Sequence, residues 1–171
     1  DGYRHLYVYT LDGKLARKLT GGEWEAGEVA GVDLKRGVVY YTARAETPLE
    51  DHLYVVGLSG GAPRRLTAAN RTHTISMSEN GGYYLDTSSS LTEPVRRTIH
   101  RGDGAELAVF TEADRKPLEE YEILPAEIVR LKANDGAALY ARLIRPAGFT
   151  PAKKYPAIVM VYGGPHAQAV R

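Results

Sequence analysis

Gly57-Leu58-Ser59-Gly60-Gly61 fits the G-x-S-x-G pattern, in which a nucleophilic serine stands on a sharp turn between a strand and a helix. Five histidines, His5, His52, His73, His100 and His166, offer bases or metal ligands. Tyr162 ends the apolar run Pro156-Ala157-Ile158-Val159-Met160-Val161 and is followed by Gly163-Gly164-Pro165. A buried strand end beside a glycine turn is rigid and lets substrate come close, which suits a donor fixed in place for a developing oxyanion. The same position also suits a core tyrosine, and the bare pattern leaves both readings open.

Which of these residues can act depends on the elements that carry them. Residues 5–20, HLYVYTLDGKLARKLT, superpose without a gap on residues 52–67, HLYVVGLSGGAPRRLT, 47 positions later. Residues 32–41, VDLKRGVVYY, match residues 75–84, ISMSENGGYY, 43 positions later, and a weaker copy of the first hairpin runs from about Arg97 to Thr111. Asp12-Gly13, Ser59-Gly60 and Asp103-Gly104 are tight-turn dipeptides within these hairpins. Four short strands per roughly 40–50 residues is the period of a β-propeller blade. Half a blade is expected at 1–20, a full one at about 31–67 and another at about 74–112. The twelve tyrosines suit strands with one half-exposed face.

The repeat disposes of Ser59. The gapless alignment puts Asp12 opposite it, and Ala62-Pro63 and a second strand follow it instead of a helix. Ser59 is therefore expected in a hairpin turn. His5 and His52 occupy equivalent repeat positions, which predicts packing between strands, and with His73 and His100 they lack metal-ligand spacing. Trp24, between two hairpins, is expected to pack between blades.

Beyond 112 the pattern changes. After the charged segment TEADRKPLEEYEIL, Ile128–Lys132 and Leu139–Ile144 read as strands around Asn134-Asp135-Gly136. Pro156–Tyr162 reads as a strand buried on both faces. A hairpin followed by a buried strand ending in Gly-Gly is how many α/β-hydrolase sheets begin. The expected organisation is mainly β: the C-terminal part of a propeller at 1–112, about two and a half four-stranded antiparallel blades; a linker at 113–124; and the first strands of a truncated α/β-hydrolase sheet at 125–171.

A net charge of +1 gives no electrostatic footprint for nucleic acid. The absence of cysteine excludes disulfides, thiol nucleophiles and Cys-based zinc sites. No apolar run approaches the ~20 residues of a membrane span. No signal peptide opens the chain, which begins at Asp1-Gly2-Tyr3 inside a strand-like pattern, as a truncated N-terminus would.

Lys153-Lys154-Tyr155-Pro156 leading to Val161-Tyr162-Gly163-Gly164-Pro165-His166-Ala167-Gln168, the opening Gly2-Tyr3-Arg4-His5 and Leu19-Thr20-Gly21-Gly22-Glu23-Trp24-Glu25 resemble the prolyl oligopeptidase family of serine peptidases, and within it the dipeptidyl peptidase IV branch. The resemblance runs through nearly the whole chain in order. It implies a propeller capping an α/β-hydrolase domain that releases N-terminal dipeptides with penultimate Pro or Ala through an acyl-enzyme. It makes Tyr162 the oxyanion-hole tyrosine, and implies peptide substrates, no cofactor, no metal and a periplasmic or secreted location. The family's Ser, Asp and His lie beyond Arg171, so the triad is absent and the chain alone should be inactive. The paired glutamates that hold the substrate amine lie upstream in the family, so Glu119-Glu120 is read as solvated linker. His166, ahead of any serine, is read as a loop or packing residue. The parent is expected to be a homodimer, and the isolated chain to self-associate through uncovered blade faces. Two other readings stand beside this: a propeller used as a protein-binding module, and an oligopeptidase or acylaminoacyl peptidase of the same clan.

Overall fold

A computed structural model of the chain describes residues 2–164, 169 and 170. They form two compact units, Asp1–Asp114 and Arg115–Arg171. The first opens with a hairpin of β1 (Tyr7–Tyr9) and β2 (Leu15–Lys18). Two four-stranded antiparallel sheets follow: β3 (Ala26–Asp33), β4 (Val38–Ala43), β5 (His52–Gly57) and β6 (Arg64–Arg65), then β7 (Thr72–Met77), β8 (Tyr83–Ser89), β9 (Arg96–Arg101) and β10 (Glu106–Thr111). In both sheets spatial order follows chain order, the simple meander of a propeller blade.

The turns explain the hairpins. Thr10–Lys14 and Arg101–Ala105 are five-residue connections of one kind: the first N–H donates to the fifth carbonyl, and the glycine N–H donates back to the first. Gly13 and Gly104 carry φ of 80° and 97°, a left-handed conformation that a Cβ would strain.

The two gapless repeats close in the same way. His5 Nδ1 lies 3.2 Å from Thr20 Oγ1, and His52 Nδ1 lies 3.0 Å from Thr67 Oγ1. Each threonine Oγ1 also accepts the N–H of the leucine after the histidine, Leu6 at 2.9 Å and Leu53 at 3.2 Å. The hydroxyl thus donates to Nδ1 while accepting from the backbone. Each ring then donates from Nε2, His5 to the Gly22 carbonyl and His52 to Glu50 Oε2.

Alternate residues of the middle sheet feed two cores. Val39, Tyr41, Tyr54 and Val56 pack with Leu19 and Trp24 toward the first hairpin. Tyr40 and Leu53 pack with Tyr84, Ile75 and Met77 toward the next sheet. Trp24 stacks on Tyr41 at 6.4 Å and meets His5 edge-on at 5.3 Å. Tyr41 stacks on Tyr54 at 5.7 Å. The Tyr41 hydroxyl is buried without a partner among the described residues, and burial pushes its pKa up. Burial, reinforced by Glu46, pushes the Tyr54 phenol up to about 12.

His52 is 1% exposed, and its ring lies 5.2 Å from that of His73. Burial lowers its pKa despite the Glu50 hydrogen bond, and the neighbouring His73 and Arg65 act in the same direction. A base depressed in the fold binds fewer protons there than in the unfolded chain. Stability is therefore full above the ordinary 6.5 and falls as pH drops below it, by at most about 1.4 kcal/mol per pH unit. His52→Gln is expected to flatten urea-midpoint differences between about pH 6.5 and 5. A variant with the wild-type slope would show that another group carries it.

The second unit holds a 3₁₀ turn at Lys116–Leu118 and a hairpin of β11 (Ala126–Lys132) and β12 (Ala138–Ile144), paired from Ala126↔Ile144 to Lys132↔Ala138. Its turn, Ala133–Ala137, repeats the five-residue pattern, with Gly136 at φ 92°. The expected buried strand at 156–162 is corrected. No strand is assigned there, and Ile158, Val159, Met160 and Val161 are between 81% and 93% exposed. An apolar run becomes a buried strand only when neighbours complete its ladder. β11 and β12 pair with each other, and no described strand lies beside this run.

Candidate oxyanion segment and its surroundings

The hairpin of the second unit leads into a loop that holds itself together. Arg145 pairs with Glu127 at 2.6 Å, and its guanidinium lies 5.3 Å from the Phe149 ring centre. Phe149 meets Tyr155 at 5.2 Å, and the Tyr155 hydroxyl accepts the Thr150 N–H at 3.1 Å. These residues fix the chain just ahead of 156–162. Beneath them lies a cleft of about 350 Å³ lined by Leu124, Glu127, Leu143, Arg145 and Phe149.

Tyr162 itself is 72% exposed. Its ring lies over the backbone at Gly164, where an added Cβ would come within 2.5 Å of Cε1 and 3.0 Å of the hydroxyl oxygen. The sequence singled out Tyr162 but not this contact with Gly164, because adjacent glycines look alike in a sequence.

The other candidates are occupied elsewhere. Ser59 lies in the turn joining β5 to β6, where the Gly60 N–H donates to the Gly57 carbonyl, and a strand follows it. His73 Nδ1 lies 2.8 Å from Asp86 Oδ2, the pairing that orients a catalytic base. Its Nε2, however, is 2.9 Å from the Ala68 carbonyl, and both side chains are buried, so it faces no nucleophile. No local pattern points to Asp86, whose partner is thirteen residues away on the neighbouring strand. His100 sits between Thr98 Oγ1 and the Gly104 carbonyl. Glu119 and Glu120 are exposed just after the 3₁₀ turn. His166 lies outside the described residues. Among the described residues no three His, Asp or Glu side chains converge on a metal position, and no helix is long and apolar enough to cross a membrane.

Meander sheets recurring every 40–50 residues define the first unit as part of a β-propeller. Residues 1–95 match the dipeptidyl peptidase IV (DPP IV) N-terminal region, and the chain belongs to that family. It is 36% identical over 178 residues to the probable dipeptidyl-aminopeptidase B of Aspergillus oryzae, a match covering 99% of this chain and 20% of the relative. The corresponding protein of Aspergillus fumigatus is 37% identical over 177 residues, covering 99% and 19%. The crystal structure of Porphyromonas gingivalis dipeptidyl peptidase 4 superposes with a TM-score of 0.91 at 31% identity, covering 99% of this chain and 24% of that one. The chain thus spans about a fifth of the length of the curated relatives it matches.

Proposed function

We propose that this chain is part of a serine-type dipeptidyl peptidase that releases N-terminal dipeptides with penultimate Pro or Ala, and that Tyr162 donates to the oxyanion of its tetrahedral intermediate. Membership of the DPP IV family carries this reading. The place of Tyr162 at the end of the apolar run, directly before Gly163-Gly164, supports the role of that residue. Residues 1–112 are the propeller part, 113–124 a linker and 125–171 the start of the hydrolase domain, a division that the two compact units favour. The substrate is a peptide with a free N-terminus. Apolar side chains exposed along the last sheet, Tyr83, Leu107 and Phe110, favour self-association of the chain by itself, and the whole protein is a homodimer.

Acyl transfer needs a nucleophile, a base and an oxyanion donor together, and this chain supplies the donor alone. The purified chain is therefore expected to release no chromophore from Gly-Pro or Ala-Pro chromogenic dipeptides, whereas the full-length protein should cleave them and spare N-blocked versions. Turnover by the chain, abolished by Ser59→Ala, would overturn the assignment of Ser59 to a turn. Full-length protein that prefers N-blocked peptides would be an oligopeptidase or acylaminoacyl peptidase instead.

A further inference from the structure

Gly163 and Gly164 look interchangeable in the sequence, and neither adopts the left-handed backbone that would demand glycine. Their surroundings differ. A Cβ on Gly163 would meet nothing within 4 Å. A Cβ on Gly164 would lie 2.5 Å from Tyr162 Cε1, 2.9 Å from Cζ and 3.0 Å from the hydroxyl oxygen. All three contacts are with the reactive end of one exposed, movable ring, so a side chain at 164 would act by moving that phenol rather than by straining the backbone.

We infer that Gly164 is the positioning residue of Tyr162: its missing side chain leaves the space in which the phenol rests, and so sets where the hydroxyl points. This rests on the oxyanion reading of Tyr162. Carbon atoms pack comfortably at about 3.5–4.0 Å, so a methyl group at 164 drives the ring back by about 1 Å or turns it away. An oxyanion donor acts only at hydrogen-bond distance from the oxygen it serves, and a displacement of about 1 Å in a catalytic group can cost about 10²-fold in rate. Because the effect passes through one hydroxyl, its ceiling is the loss caused by deleting that hydroxyl.

The test uses the full-length enzyme and four variants, Tyr162→Phe, Gly164→Ala, Gly163→Ala and the double Tyr162→Phe/Gly164→Ala, with kcat and KM measured for an Ala-Pro chromogenic dipeptide. Gly164→Ala is expected to lower kcat by about 10- to 100-fold with KM little changed, and Gly163→Ala to change kcat less than about threefold, because its methyl does not meet the Tyr162 ring. The double variant should be no slower than Tyr162→Phe alone, since the group being misplaced is already gone. If Tyr162→Phe is slow while Gly164→Ala keeps its kcat, the inference fails and the oxyanion reading stands. If the two losses multiply, Gly164 acts through something other than the phenol, and the inference fails again. If Tyr162→Phe keeps full kcat, the oxyanion reading itself falls. Should Gly164→Ala not fold, Tyr162→Ala in the same background removes the ring that the methyl strikes. Recovered folding would support the steric contact, and continued misfolding would refute it.

Discussion

Replacing Tyr162 by Phe in the full-length enzyme is expected to lower kcat about 10²–10³-fold, the usual cost of removing one preorganised oxyanion donor, or roughly 3–4 kcal/mol of transition-state stabilisation. The ring is kept, so its packing over Gly164 is unchanged and only the hydroxyl is lost. A ground-state carbonyl uses such a donor less than the tetrahedral oxyanion does, so KM should scarcely move. A tyrosine serving only to pack would give the opposite pattern, a nearly intact kcat with at most a lower melting temperature. Measuring kcat and thermal unfolding on the same preparation separates the two, and an unchanged kcat would sink the oxyanion role.

Leu53→Ala should produce the largest loss of stability in the first unit, about 2–5 kcal/mol. Leu53 is fully buried between Tyr40 and Tyr84, where the middle sheet meets the next one. Its backbone is also tied down, by Thr67 Oγ1 on its N–H and by Leu66 on its carbonyl. The space left by the missing isobutyl end is walled by rings on two different sheets, which cannot close over it without separating strands from their partners. Leu11, fully exposed in the first turn, is the matching control, and its change to Ala should stay within about 0.5 kcal/mol. Urea midpoints of the purified chain compare the two, and equal values would mean that the sheets do not share a core.

The propeller part was legible because its repeat is written in residues that make the closing contacts. His5 with Thr20 and His52 with Thr67 are the first and last letters of the two aligned segments, and they bond each other. Asp-Gly at 12–13, 103–104 and 135–136 marked three turns of one geometry. The sheet of the middle blade begins earlier than the repeat suggested, at Ala26, because Arg4 reaches across and accepts its N–H at 2.8 Å. No local pattern announces a partner twenty-two residues away. Pro156–Tyr162 misled for the complementary reason: apolar composition states what a segment can bury, whereas burial depends on the strands beside it. The family could be read from Val161-Tyr162-Gly163-Gly164-Pro165, which also made Tyr162 a candidate, but the different surroundings of the two glycines needed atomic positions.

Trp24 is the only tryptophan in the chain, and it lies between His5 of the first hairpin and Tyr41 of the middle sheet. Its fluorescence is therefore a built-in optical gauge of that single junction. Emission will shift when the hairpin lifts from the sheet, because the indole loses its contacts with His5 and Tyr41. Excited at its red edge, the protein reports on the seam between the first hairpin and the middle sheet. Set beside far-ultraviolet dichroism, which counts strands everywhere, that one indole can tell whether the chain melts as a whole or blade by blade.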